Sequence, residues 1–223
     1  MTEPRKLVIF GNKLVAEIAY EYFTYDSDYE VAGFTVEQEY LKVDTKFRLP
    51  VVPFETVEFA FPPIQHDIFI AIVYTQLNRL RTRLLNEAKS KGYKPASYIS
   101  SRAFVWRNVD IGEHCFILED NTVQPFVKIG NNVVMWSGNH IGHHSIIGDN
   151  CFISSHVVVS GSVTVGNNCF LGVNATINNA MTIGNDCFLG SAAHVVKNLG
   201  DNSFLKGTEI SKIGAKEYFK IKE

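Results

Sequence analysis

The sequence predicts two units in series, with a short tail: a small α/β domain over residues 1–95, a triangular parallel β-helix over residues 96–208, and residues 209–223. Three observations carry this. First, stepping six residues at a time from Ile99 through Val105, Ile111 and Ile117 to Val195 lands on an aliphatic side chain every time. A period of six fits neither an amphipathic helix nor a simple strand; it fits one short strand and one corner per hexad. Second, a longer period of eighteen overlies it. Ile111-Gly112-Glu113-His114-Cys115-Phe116 recurs from Ile129, Ile147, Val165 and Ile183, so three hexads close one coil. Third, the first ninety residues instead alternate apolar runs with helical patterns, the signature of a doubly wound sheet.

In the front unit, Lys6 to Phe10 reads as a buried strand, followed by Gly11-Asn12-Lys13 and a helix from Leu14 through Phe23. Tyr29 to Phe34 is a second strand and Asp67 to Val73 a third, its continuous apolar run suiting a strand covered on both faces. Leu77 to Lys91 is a basic helix, and Pro50, Pro53, Pro62 and Pro63 mark loops. Ligands of such sheets bind beyond the carboxyl ends of the strands, which makes Gly11 and Asn12 candidate nucleotide contacts. The full Gly-x-Gly-x-x-Gly fingerprint is absent.

In the back unit, Gly, Asn and Asp gather at the corners because they tolerate left-handed backbone. Cys115, Cys151, Cys169 and Cys187 occupy the same place in successive repeats, with Val133 filling the missing rung. That column faces inward, where a thiol packs as a compact hydrophobe, so neither a disulfide nor a metal site is expected. Phe116, Phe152, Phe170 and Phe188 stand one place later and point outward. As an exposed ladder they imply self-association, most simply a cyclic homotrimer, unless the C-terminal segment covers them.

Length and composition describe an ordinary globular chain: 223 residues, 46% hydrophobic, 20% charged, net charge -2. There is no basic surplus for nucleic acid. With no signal pattern and no apolar run long enough for a bilayer, a cytoplasmic protein without a membrane partner is expected.

The chemistry-bearing residues are histidines. His140, His143 and His144 fall within five residues, and Ile141 anchors them inward, so His143 and His144 sit at a corner facing out. Imidazole is the usual general base near neutral pH. One coil beyond His143 the register gives Gly161, about 5 Å away by strand spacing. A bare peptide N–H beside a base suits the oxyanion of a thioester reaction.

The hexad run with His140-Ile141-Gly142-His143 four residues before Ile147-Gly148 resembles the left-handed β-helix acyltransferases. The spacing is similar to that of the UDP-N-acetylglucosamine acyltransferases. The whole-chain layout looks closer to the sialic acid O-acetyltransferase and UDP-amino-sugar N-acetyltransferase family of bacterial surface glycan pathways, such as lipopolysaccharide biosynthesis. The resemblance implies a nucleotide-sugar-binding α/β domain joined to a left-handed β-helix, a homotrimer, and acetyl-CoA as co-substrate. By position His143 matches the family's general base and Gly161 the glycine that meets the acetyl carbonyl. His144 stands where an acid usually follows, and His140 lies in the same motif. Gly11, Asn12, Asn78 and Arg81 match the nucleotide region, and His156 is a further candidate substrate contact. Asn174, Ala175, Ala192 and Lys197 are expected along the CoA groove with Gly161. The acidic pair expected after the second strand is replaced by Thr35-Val36. The implied activity is N-acetylation of a nucleotide-linked amino sugar. O-acetylation of a sialic acid or related sugar is the alternative. From another class comes a trimeric zinc enzyme of the γ-carbonic-anhydrase type, with His140, His143 and His156 as ligands.

Overall fold

The computed structural model describes residues 5–207. The expected covering segment, Glu209 to Glu223, lies outside the described residues. The front unit is a sheet in which β1 (Arg5–Phe10) is central. Helix α1 (Leu14–Tyr25) leads to β2 (Tyr29–Val36). A hairpin, β3 (Thr45–Lys46) and β4 (Leu49–Pro53), and the short helix α2 (Val57–Ala60) lead on to β5 (His66–Ile70). Helix α3 (Arg79–Ser90) and β6 (Lys94–Pro95) complete it. Strand order is β3-β4-β2-β1-β5-β6, parallel except for β3 against β4. The chain therefore leaves β1 toward β2 and later returns to its other side at β5, which places a topological switch at the carboxyl end of β1.

Three expectations shift here. The second strand runs two residues further than the apolar pattern suggested, because buried Thr35 satisfies its hydroxyl on the Val52 carbonyl at 2.9 Å. The third is shorter, ending at Ile70. The segment read as a Pro-marked loop contains β4, where Pro50 and Pro53 sit in a strand that joins the sheet through Phe34 to Val36.

The back unit winds as a left-handed parallel β-helix from Tyr98 to Leu205 with three faces. The first face stacks seven two-residue strands (Tyr98–Ile99, Phe116–Ile117, and so on to Phe204–Leu205). The second stacks six from Phe104–Val105 to His194–Val195, and the third five from Asp110–Ile111 to Thr182–Ile183. The coil outlasts the hexad pattern: Phe204–Leu205 still pairs with Phe188–Leu189. The inward aliphatics and the cysteine column form one continuous core. Each thiol donates to a glycine carbonyl of the next coil, as Cys115 does to Gly130 at 3.2 Å and Cys151 to Gly166 at 3.1 Å. Corner residues take left-handed backbone, among them His114, Asn132, Asn150 and Asn168 at φ 56 to 59°. Along one edge an Asx side chain caps the backbone N–H one coil down. Asn131 caps Glu113, Asp149 caps Asn131, Asn167 caps Asp149, Asn185 caps Asn167 and Asp201 caps Asn185, all at 2.6 to 3.0 Å.

The phenylalanine ladder is a correction. Phe116 and Phe152 are buried and Phe170 and Phe188 half-buried, because the α/β domain docks on the first face. Phe116 packs on Phe23, Phe69 and Tyr98. Tyr74 meets Phe152 and Phe170 edge-on at 5.0 and 5.4 Å. The chain itself, rather than a second copy, covers the lower rungs; only Phe204 at the open end is well exposed.

A buried polar knot locks this docking. His114 is fully enclosed, and its Nε2 accepts the Ile70 N–H at 3.0 Å. That bond puts the proton on Nδ1, which donates to Asn132 Oδ1 at 2.8 Å. Burial, then the neighbouring Arg81 charge, holds the His114 pKa well below its ordinary value. The native state therefore keeps His114 neutral while the unfolded chain takes up a proton near pH 6.5. Stability is whole above that pH and falls below it, at up to about 1.4 kcal/mol per pH unit. Denaturant titrations at pH 7.5 and 5.5 should show this loss. His114→Asn, which installs the residue found at the next corner up, should flatten it; an unchanged slope would remove His114 as its source.

Candidate functional site

Two places carry chemistry. The first is a cavity of about 510 Å³ at the switch point, lined by the ends of β1 and β2 and the start of α3. Gly11 forms its floor. Its N–H donates to the Thr35 carbonyl at 2.8 Å, its φ is +122°, and a Cβ there would lie 3.3 Å from the Ala71 carbonyl oxygen. Only glycine fits such a turn without strain. Asn12 and Lys13 stand at the rim. Because β2 continues to Val36, the residue at its tip is Glu37, also in the lining, and it accepts from Arg83 at 2.9 Å. The acid looked for at Thr35-Val36 is thus present one residue later. Glu39, Tyr40, Thr75 and Arg83 complete the polar rim. Sequence reasoning passed over these four and Glu37, and the only signal for Glu37 was the β-branched continuation of the strand.

Asn78 and Arg81 do not reach this cavity. Both are buried in the seam between the units. Arg81 Nε donates to Asn132 Oδ1 at 2.7 Å, its Nη1 to the Ile70 and Ile72 carbonyls, and its Nη2 to the His114 carbonyl at 3.1 Å. Burial pulls its pKa down to about 9, which leaves it charged at neutral pH. Asn78 Nδ2 donates to the Asn150 carbonyl at 2.6 Å. With their donors spent on protein acceptors, these two residues join the domains. The amphipathic spacing of α3 hid this, because a basic helix reads as a solvated one.

The second place is the vertex where the second and third faces meet. His143 is exposed there, its N–H held by Gln124 Oε1 at 2.9 Å. Gly161 lies one coil up, in van der Waals contact: a Cβ on it would come within 2.7 Å of His143 Cε1 and Nε2. The absent side chain is therefore what allows the imidazole edge to rest on that peptide. His143 Nδ1 is 3.1 Å from His144 Nδ1, and the rings stand at 84°. His144 in turn stacks on Phe126, with centroids 4.6 Å apart. By strand register Asn179 and Lys197 occupy the same vertex position two and three coils above His143.

His156, Asn174 and Ala192 line up on the other edge of the second face, where His156 rests on Gly138. His140 projects from the second face between the two edges. Ala175 is a correction: it points into the core with no exposed surface, its N–H donates to the Gly172 carbonyl at 3.0 Å and its carbonyl accepts from the Val158 N–H at 2.9 Å, so it does not face the groove. His140, His143 and His156 are thus spread across a face. Among the described residues no group of three or more His, Cys, Asp or Glu side chains is placed to hold a metal ion. No described helix is long and apolar enough to cross a membrane.

Comparison with known proteins adds to this geometry. The model described as bacterial transferase hexapeptide (six repeats) matches residues 108–143 and 144–179, and that of the hexapeptide repeat of succinyl-transferase matches residues 181–207. No curated protein matches by sequence. Among solved structures, the chain is similar to perosamine N-acetyltransferase from Caulobacter crescentus, solved with CoA and GDP-perosamine. Identity is 24% over 89% of this chain and 92% of that one, with a TM-score of 0.78. It is also similar to the acetyltransferase domain of PglB from Neisseria gonorrhoeae, with 21% identity, 91% and 97% coverage and a TM-score of 0.80. For WeeI from Acinetobacter baumannii the figures are 18%, 90%, 96% and 0.59. Residues 108–179 and 181–207 carry the hexapeptide repeat of bacterial transferases, and the chain as a whole has the fold of the acetyltransferases named here.

Proposed function

We propose that this chain is an acetyl-CoA-dependent N-acetyltransferase acting on a nucleotide-linked amino sugar in bacterial surface glycan biosynthesis. The observation that carries the reading is the contact between His143 and Gly161. In the proposed reaction the sugar amine attacks the thioester carbonyl while His143 Nε2 takes a proton from nitrogen. The Gly161 N–H stabilises the tetrahedral oxyanion, whose collapse expels the CoA thiolate, and the thiolate leaves as the thiol. Gly11, Asn12, Glu37 and Arg83 hold the nucleotide, the Glu37 carboxylate being placed as acids at this strand end are for ribose hydroxyls. Asn174, Ala192 and Lys197 serve the CoA chain, with the lysine ammonium toward its phosphates. Perosamine N-acetyltransferase, solved with CoA and a GDP-sugar and also as a histidine-to-asparagine variant, supports this assignment by its shared fold.

Where the two places lie supports the homotrimer of this reading. The α/β domain docks on the first face and on the vertex between third and first, as the contacts of Tyr74 with Phe152 and of Arg79 with Asp186 show. His143 is on the vertex opposite. The CoA residues are likewise divided between two edges of the second face, roughly 15 Å apart by strand rise. A cyclic arrangement laying one copy's vertex beside its neighbour's unites both sets. Thiol release with acetyl-CoA and a panel of UDP-, dTDP- and GDP-amino sugars tests the activity. His143→Ala and Asn12→Trp, each inactive alone, then test the assembly. Co-assembled in equal amounts, they should regain about a quarter of wild-type activity, since one site in four pairs an intact base with an intact cavity. Wild-type silence on every sugar overturns the activity, and no recovery on mixing overturns the shared site.

A further inference from the structure

The three faces of the β-helix are not alike. The first is covered by the α/β domain, and the third carries Asp110 and Lys128 in its central column. On the second, the outward strand positions from Phe104 to Val196 hold no lysine, arginine, aspartate or glutamate. Phe104, Trp106, Val158 and Val196 stand there with 39 to 60% of their surface exposed. Down the middle of this face the register stacks Phe104, Thr122, His140, Val158, Thr176 and His194.

A cyclic trimer decides what this column meets. Joining the His143 vertex of one copy to the opposite edge of the next closes the second faces around the threefold axis, because each face lies between the two edges joined. Turned the other way, the three coils and their docked α/β domains would overlap. Faces roughly 15 Å wide set edge to edge leave the axis about 5 Å from the middle of each, and side chains at the joined edges add to this. An imidazole and a metal–nitrogen bond of about 2 Å span that gap. Of the two histidines in the column, His194 has its Nε2 2.9 Å from Asn178 Oδ1. His140 is half-buried, and neither of its ring nitrogens has a partner among the described residues.

We propose that His140 from each of three copies binds one zinc ion on the threefold axis of the trimer. This rests on the homotrimer of the proposed function and goes beyond it. Neutral imidazole nitrogen is a preferred zinc ligand, and three of them leave the fourth tetrahedral position to water. Symmetry supplies the ligand set, so a single unpartnered histidine per chain is enough. The column shields the site: three Val158 side chains lie one coil above it and three Phe104 rings two coils below. This differs from a zinc held by His140, His143 and His156 of one chain, which are spread across the face. His140 shares a coil with His143, so the ion ties the three copies together at the level of the proposed base.

The test uses the full-length protein, purified without a polyhistidine tag, stripped by a chelator and dialysed against zinc. Sedimentation reports the assembly and atomic emission the bound metal. Expected is a trimer carrying one zinc for three chains, a ratio that a site within one chain does not give. His140→Asn should reduce the zinc to none, while His194→Asn and His143→Ala keep it. Where asparagine unsettles the assembly, His140→Phe fills the same space without a ligand nitrogen and should give a metal-free trimer. Cobalt in place of zinc should show the strong visible absorption of a four-coordinate ion in wild type and lose it in either His140 variant. A metal-free wild-type trimer, one zinc per chain instead of one per three, or a His140 variant that keeps its zinc would each overturn the axial site. A wild type that sediments as a monomer strikes the homotrimer beneath the proposal instead, so the two failures are distinct.

Discussion

Replacing His143 by alanine should lower the rate of thiol release about a thousandfold at neutral pH, while the protein stays folded. The size is what a positioned general base contributes. The fold survives because His143 is exposed and its one backbone bond, to Gln124 Oε1, does not involve the imidazole. The residual rate should reflect the proposed oxyanion site at Gly161 and the juxtaposition of substrates, neither of which the substitution touches. Steady-state kinetics beside a thermal melt measures both halves. A variant within threefold of wild type would move the base elsewhere in the vertex, and with it the mechanism proposed above.

The largest effect on stability is expected at Arg81. Arg81→Met keeps the length of the side chain and removes every donor. It strands the Ile70, Ile72 and His114 carbonyls, and Asn132 Oδ1 keeps only its bond from His114. Breaking one partner of a buried charged network costs about 3–5 kcal/mol, far above a surface substitution. The damage concentrates at the seam, so the expected denaturation curve splits, the α/β domain melting before the β-helix. A loss below about 1 kcal/mol, with one transition, would mean that the aromatic contacts around Phe116 hold the seam without Arg81.

How much of this was legible in the sequence depends on what each residue answers to. The β-helix was readable residue by residue because its interior accepts only a small set of shapes at fixed intervals. Ile141, Ile147 and Ile153 repeat because each fills the same slot one hexad on. The contact of His143 with Gly161 followed from that register alone, as the eighteen-residue period converts sequence distance into contact. What was not legible depends on the meeting of two units. Phe116 and Phe152 obey the repeat and point outward, yet nothing in the repeat says that Phe23, Phe69 and Tyr74 will cover them. Arg81 lies in a stretch rich in basic residues, and its burial arises only because His114 and Asn132 turn their polar atoms toward α3. Glu37 was missed through a boundary: the strand's end decided which acid stands at the cavity, and end positions are the part of a strand least fixed by its own side chains.

The Asx caps from Asn131 to Asp201 have one more consequence. Each links a coil only to its immediate neighbour, so cohesion along the spiral is local, and each coil owes its hold to the two beside it. The lower end is clamped by the α/β domain, whereas among the described residues the last coil, with Phe204–Leu205 on Phe188–Leu189, has a neighbour on one side only. Under tension the molecule would come apart from the top, in quanta of eighteen residues. Lys197 would let go long before His143, so the proposed grip on the coenzyme would fail while the proposed base still stood in place.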